Sequence, residues 1–125
     1  KFYYWLIGIG NGSPGYSVIW KAMGGPEANL EGTNGNTLKS GEWNEVKVEV
    51  TGSDRPNMKL YLNGKLQKDF TDSSQPHGYG GIGLAGFISE VRFDNVLVEG
   101  RGIPGSAVSS HGKLALAWGY VKAEK

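Results

Sequence analysis

"WLIGIGNGSPGYSVIW", residues 5–20, holds the spacing Gly10-x-Gly12-x-x-Gly15 directly after an apolar run. A dinucleotide-binding loop has that spacing because its glycines open a helix whose N-terminus faces pyrophosphate. A helix of at least ten residues should then begin after Gly15. Instead the chain continues Tyr-Ser-Val-Ile-Trp-Lys-Ala-Met-Gly-Gly-Pro, aromatic, β-branched and alternating with period two. It stops at Gly24-Gly25-Pro26, and Glu31 lies in a Gly/Asn-rich loop rather than at the end of a parallel strand. The glycines therefore read as a hairpin loop between two antiparallel strands.

On either side of this loop and further along the chain, the strand signature recurs. Phe2 to Ile9 is aromatic and β-branched. Val46, Val48 and Val50 alternate with Glu45, Lys47 and Glu49. Met58, Leu60 and Leu62 alternate with Lys59, Tyr61 and Asn63. Asn63-Gly64 supplies the left-handed residues of a tight hairpin, from which Lys65 to Thr71 returns. Gly80 to Phe87 is expected as a glycine-rich strand, and Ile88 to Glu99 as the next. In the latter the apolar parity switches from Val91 and Phe93 to Val96 and Val98, which predicts a bulge near Asp94-Asn95. Seven short strands and no convincing helix before residue 100 indicate an all-β antiparallel sandwich. Residues 1–100 are expected to form that domain. Residues 101–125 are expected to form a Gly/Ser-rich linker and a tail from Lys113, where Leu114, Leu116 and Trp118 suit a strand and Leu114, Trp118 and Val121 suit a helix, with a strand or extended tail as the expectation.

The totals narrow the function. With 125 residues the chain holds one core. A net charge of +1 with mixed signs gives no footprint for nucleic acid or for an anionic membrane surface. No apolar run reaches the roughly 20 residues of a membrane span. The 21 glycines fall between apolar stretches and mark turns, and without cysteine there is neither a disulfide framework nor a thiolate zinc site. A strand-like run begins at Lys1 with no visible signal peptide, so upstream sequence is expected to be absent from this chain.

Three stretches, "GEWNEVKVEVTG" (41–52), "MKLYLNGKLQKDFTD" (58–72) and "GGIGLAGFISEVRFDNVLV" (80–98), give the chain a family likeness. From Lys1 to Gly100 it resembles the concanavalin A-like lectin/glucanase jelly-roll superfamily, closest to bacterial extracellular domains of the LamG-like or family-16-like kind. The resemblance implies a jelly roll that lacks its first strands, with an open sheet edge favouring association. It also implies an extracellular or cell-surface location. The superfamily includes lectins, hydrolases and adhesion domains, so the likeness leaves function open. An Asp on the last strand of such domains often helps hold a structural calcium. Asp94 in "FDN" takes that place, and its alternative role is that of a bulge residue.

Hydrolases of the superfamily carry E-x-D-x-x-E on one strand, which does not occur here, so the chain is expected not to be an enzyme. Glu45, Lys47 and Glu49 share a face and read as solvated pairs. His77 and His111 read as surface-loop residues. Sugar binding suits the composition better, because aromatic rings stack on sugar C–H faces while amides bond hydroxyls. Six of the fourteen aromatics lie within the first twenty residues. Tyr16 and Trp20 share one parity. With Val18 turned inward they are core, which is the expectation; with Ser17, Ile19 and Lys21 turned inward they are a platform beside Tyr4. Asn34 and Asn36 can add polar contacts, and Trp43 is expected to cover a sandwich edge. The first reading is thus a noncatalytic domain that binds polysaccharide or glycan on an aromatic-lined sheet through Tyr4, Tyr16, Trp20, Asn34 and Asn36. The second is a self-assembling surface domain, a homo-oligomer joined by strand addition through the first strand and the 113–121 tail. The third is a glycoside hydrolase remnant.

Overall fold

The computed structural model describes residues 1–9, 15–25, 28–34, 38–86, 90–100, 103 and 117–124, with positions 29, 31, 33, 34 and 117–124 described by their backbone. Among them the secondary structure is all strand: β1 (Phe2–Gly8), β2 (Tyr16–Ala22), β3 (Ala28–Asn34), β4 (Trp43–Thr51), β5 (Asn57–Leu62), β6 (Lys65–Thr71), β7 (Glu90–Leu97) and β8 (Ala117–Glu124). They form two antiparallel sheets, β1-β2-β3 and β6-β5-β4-β8-β7, as a β-sandwich requires.

The opening stretch is a hairpin. β1 and β2 pair from Phe2↔Ala22 to Gly8↔Tyr16, so the glycines join adjacent antiparallel strands. At the second hairpin, Asn63 (φ 50°) and Gly64 (φ 76°) take the two left-handed positions between Leu62 and Lys65, the geometry of a type I′ turn. In β5 the alternation buries Met58, Leu60 and Leu62. Val46 and Val48 stand opposite Leu62 and Leu60 on β4 and extend this core face, while Val50, near the strand's end, is exposed. The register of β7 on β8 shifts between Asp94 and Leu97, and Asn95 has φ 53°, which is the predicted bulge.

Three expectations need correction. The segment 28–34, read as a loop, is strand β3, paired to β2 from Tyr16↔Asn34 to Lys21↔Ala28. Its Asn and Gly have low intrinsic strand preference, and the ladder on β2 overrides it. The glycine-rich stretch 80–86 forms no ladder and is exposed throughout. Fixing several glycines in a strand is entropically costly, and among the described residues no strand pairs with it to compensate. Beyond the expected boundary at residue 100, β8 is an inner strand between β4 and β7. Its pairing is therefore within the chain, not with the neighbouring copy to which a tail strand was assigned. β1 remains an edge strand.

Candidate functional site

The parity of β2 decides which aromatics face out. Ser17, Ile19 and Lys21 are buried at 1–2% exposure, while Tyr16 is 37% exposed. The core expectation for Tyr16, Val18 and Trp20 is thus overturned, because the inward positions carry the serine, isoleucine and lysine. On β1 the inward partners are Tyr3, opposite Lys21, and Trp5, opposite Ile19. The Trp5 indole Nε1–H donates to Ser17 Oγ at 2.6 Å, which satisfies a half-buried indole and an otherwise buried hydroxyl together.

The outer face of β1 and β2 therefore gathers Phe2, Tyr4, Tyr16 and Trp20. Tyr4 stands opposite Trp20, their rings stacked at 6.3 Å between centroids and 7° between planes. Phe2 continues the row, 5.8 Å from Tyr4, and is 56% exposed. Tyr16 stands opposite Gly8, and a Cβ added at Gly8 would fall 2.1 Å from Tyr16 Cζ. The Tyr16 ring therefore lies across the space that a side chain on β1 would occupy. Asn34 takes the register position opposite Tyr16 on β3. Asn36 lies outside the described residues, as does His111.

Beneath this face sits a polar cluster that anchors β1 and β2 to the loop after β6. Lys21 Nζ and Asp72 Oδ2 form an ion pair at 2.6 Å with both side chains 2% exposed. Lys21 Nζ also donates to the Ser74 carbonyl. Tyr3 Oη–H donates to Asp72 Oδ2 at 2.6 Å, and Asp72 Oδ1 accepts from Ser74 N–H and Ser74 Oγ–H. The His77 N–H donates to Tyr3 Oη, and His77 Nε2 lies 3.1 Å from the Ala22 carbonyl. Burial pushes the Asp72 carboxyl up, but its bonds from Lys21, Tyr3 and Ser74 outweigh that and hold it at about 2. Burial, then the bond to Asp72, pushes the Tyr3 phenol up to about 12. His77 is half-buried and tied to β1 and β2, not a free surface residue as expected. Every oxygen of Asp72 is engaged, so this carboxylate holds structure together and has no lone pair left to take a proton from a substrate.

The remaining candidates lie apart. Asp94 is exposed at the bulge, where its Oδ1 accepts the N–H of Asn95. Among the described residues no group of three His, Cys, Asp or Glu side chains could hold a metal. Calcium takes 6–8 oxygens, and Asp94 brings one carboxylate already bonded to its neighbour, so these residues do not fit a calcium cage. Glu90 shares the Asp94 face, but Arg92 between them pairs with Glu90 at 3.1 Å. Four strand residues separate the two carboxylates by roughly 13 Å, beyond the ~5–9.5 Å of glycosidase pairs. Lys47 and Glu49 pair at 2.5 Å, and Lys47 lies 5.0 Å from the Tyr61 ring centre.

A concavity lies apart from these residues, at the turn end of the larger sheet. Lys39, Glu42, Trp43, Asn44, Asn63 and Lys65 line a cleft of about 320 Å³. Trp43 is 48% exposed there and begins an inner strand, so it walls the cleft instead of covering an edge. Sequence reasoning named neither this cleft nor the Lys21–Asp72 pair. A lysine at an inward position of β2 was the available signal for the pair, since a buried ammonium must find a carboxylate.

A family model described as a 3-keto-alpha-glucoside-1,2-lyase-like domain matches residues 11–99. That match covers most of the chain, and the chain belongs to this carbohydrate-related family of concanavalin A-like type. No curated protein and no solved structure matches the chain significantly.

Proposed function

We propose that this chain is a noncatalytic, lectin-like domain that holds glucosides or related glycans on the outer face of β1-β2-β3. The observation that carries the reading is the row Phe2–Tyr4–Trp20, with the Tyr4 and Trp20 rings parallel within 7°. Sugars bind proteins largely by laying C–H faces on such rings. Tyr4, Trp20 and Tyr16 are the proposed stacking residues, Phe2 extends them, and Asn34 stands at the third strand for hydroxyl contacts. Family membership supports a sugar as the ligand class, and the family's description makes α-glucosides, including their 3-keto forms, the first ligands to test. The proposed place of action is outside the cell or at its surface, where polysaccharide is met.

The same description favours a second reading, that of a lyase on 3-keto-α-glucosides. Against it stands the saturated Asp72, the buried carboxylate of this half of the molecule, which has no lone pair free to act as the base of an elimination. Calorimetry with α-gluco-oligosaccharides, run beside an assay for sugar released from a 3-keto-α-glucoside, separates the two. The proposal expects saturable binding, at least about tenfold weaker in Trp20→Ala, and no release. Release at a catalytic rate refutes the noncatalytic reading. Absence of binding, or binding untouched by Trp20→Ala, refutes the outer-face site.

A further inference from the structure

The cleft at Trp43 belongs to the other sheet and is independent of the outer aromatic face. Its framework is fixed by Asn44, which is 1% exposed. The Asn44 amide donates to the carbonyls of Lys39 and Glu42, and its Oδ1 accepts from Lys39 N–H and from Asn63 Nδ2–H. Asn63 in turn accepts the Glu45 N–H through Oδ1, and its own N–H donates to the Glu45 carbonyl. The 39–42 loop, the start of β4 and the β5–β6 turn are thus pinned together before any ligand arrives. Such preorganisation lowers the ordering cost of binding.

The walls have a definite chemistry. Trp43 offers a half-exposed indole, the ring type that stacks best on sugars and on cations. Lys39 is neutralised by Glu42, with which it pairs at 3.4 Å. Lys65 follows the turn, is exposed, and forms no ion pair among the described residues. One aromatic wall, one balanced pair and one uncompensated ammonium line a space of about 320 Å³, at the small end of the ~300–1,000 Å³ range for small-molecule sites. That suits a single sugar ring bearing one negative charge.

We infer that the Trp43 cleft is a second saccharide subsite selective for an acidic sugar, a uronate whose ring lies on Trp43 and whose carboxylate meets Lys65. The probes are methyl β-glucuronide and methyl β-glucoside, which differ only in the carboxylate. Indole N–H resonances are followed by heteronuclear NMR, with the Trp43 signal assigned from its loss in Trp43→Phe. The glucuronide is expected to shift the Trp43 signal saturably, and the glucoside to do so at least about tenfold more weakly, the scale of one charge-assisted bond. Lys65→Gln, an exposed change that leaves the framework intact, is expected to bring the glucuronide down to the glucoside's affinity and to abolish its salt dependence. Equal shifts from both sugars, an unchanged affinity in Lys65→Gln, or a silent Trp43 overturns the inference. Trp20→Ala is expected to leave this titration unchanged, so failure here and failure of the outer-face site are read separately.

Discussion

Replacing Lys21 by Met tests how the two sheets are fastened. In the native protein Lys21 Nζ sits 2.6 Å from Asp72 Oδ2 with both side chains 2% exposed. Met keeps the stem and removes the ammonium, leaving Asp72 with Tyr3 and Ser74 but without a counterion. Breaking one side of a buried pair costs about 3–5 kcal/mol, because the remaining charge is desolvated and uncompensated. That is a large part of the roughly 5–15 kcal/mol that holds a domain folded. Urea unfolding followed by tryptophan fluorescence reads the change. The companion Lys21→Met/Asp72→Asn removes both charges, while the introduced amide can still accept from Tyr3 or Ser74. It is expected to be destabilised by at least about 2 kcal/mol less than the sum of the two single variants. A Lys21→Met cost below about 1 kcal/mol, the level of an exposed pair, with additive single changes, would refute the assignment of this pair as the fastening.

Stability should also depend on pH at both extremes. Asp72 is held at about 2 against an ordinary 3.8, so its contribution, about 2 kcal/mol, is present above pH ~4 and lost between pH ~4 and ~2. Tyr3 is raised from 10.0 to about 12, so the reverse holds: its contribution is present below pH ~10 and lost as pH rises toward ~12. The two share one hydrogen bond, and thermal unfolding across pH should show Asp72→Asn flattening the acid limb. Gly8→Ala places a Cβ where the Tyr16 ring lies; calorimetry should show weakened sugar binding while the melting temperature falls by only a few degrees. Asn44→Ala removes four hydrogen bonds around a buried side chain, and a loss of about 2–3 kcal/mol is expected in urea unfolding.

Much of the fold could be read from alternation alone. Val46-Val48 against Leu60-Leu62, and the Asn63-Gly64 turn between β5 and β6, carry a strong local signal because the apolar parity of the two strands points to one shared face. β3 was hidden since Asn29, Gly32 and Asn34 lack strand preference and depend on β2 for their pairing. The stretch 80–86 misled in the opposite direction: its Ile82 and Leu84 alternate, yet among the described residues no strand pairs with them. At the candidate site, composition singled out Tyr4, Tyr16 and Trp20, but periodicity cannot say which of two faces is inside. Ile19 and Val18 are equally apolar, and what settled the orientation was Lys21 meeting Asp72 across 51 positions of chain, a contact invisible to local pattern. Trp43 was noticed without its cleft, because the cleft is assembled by the distant Asn63 and Lys65.

Whether glycan contacts run along the outer aromatic row can be read by saturation-transfer NMR on an α-gluco-oligosaccharide, repeated with Trp20→Ala and Tyr4→Ala. Strong transfer to the sugar ring protons that collapses in both variants, while their circular dichroism stays native, is the predicted result. Undiminished transfer in the two variants would contradict it.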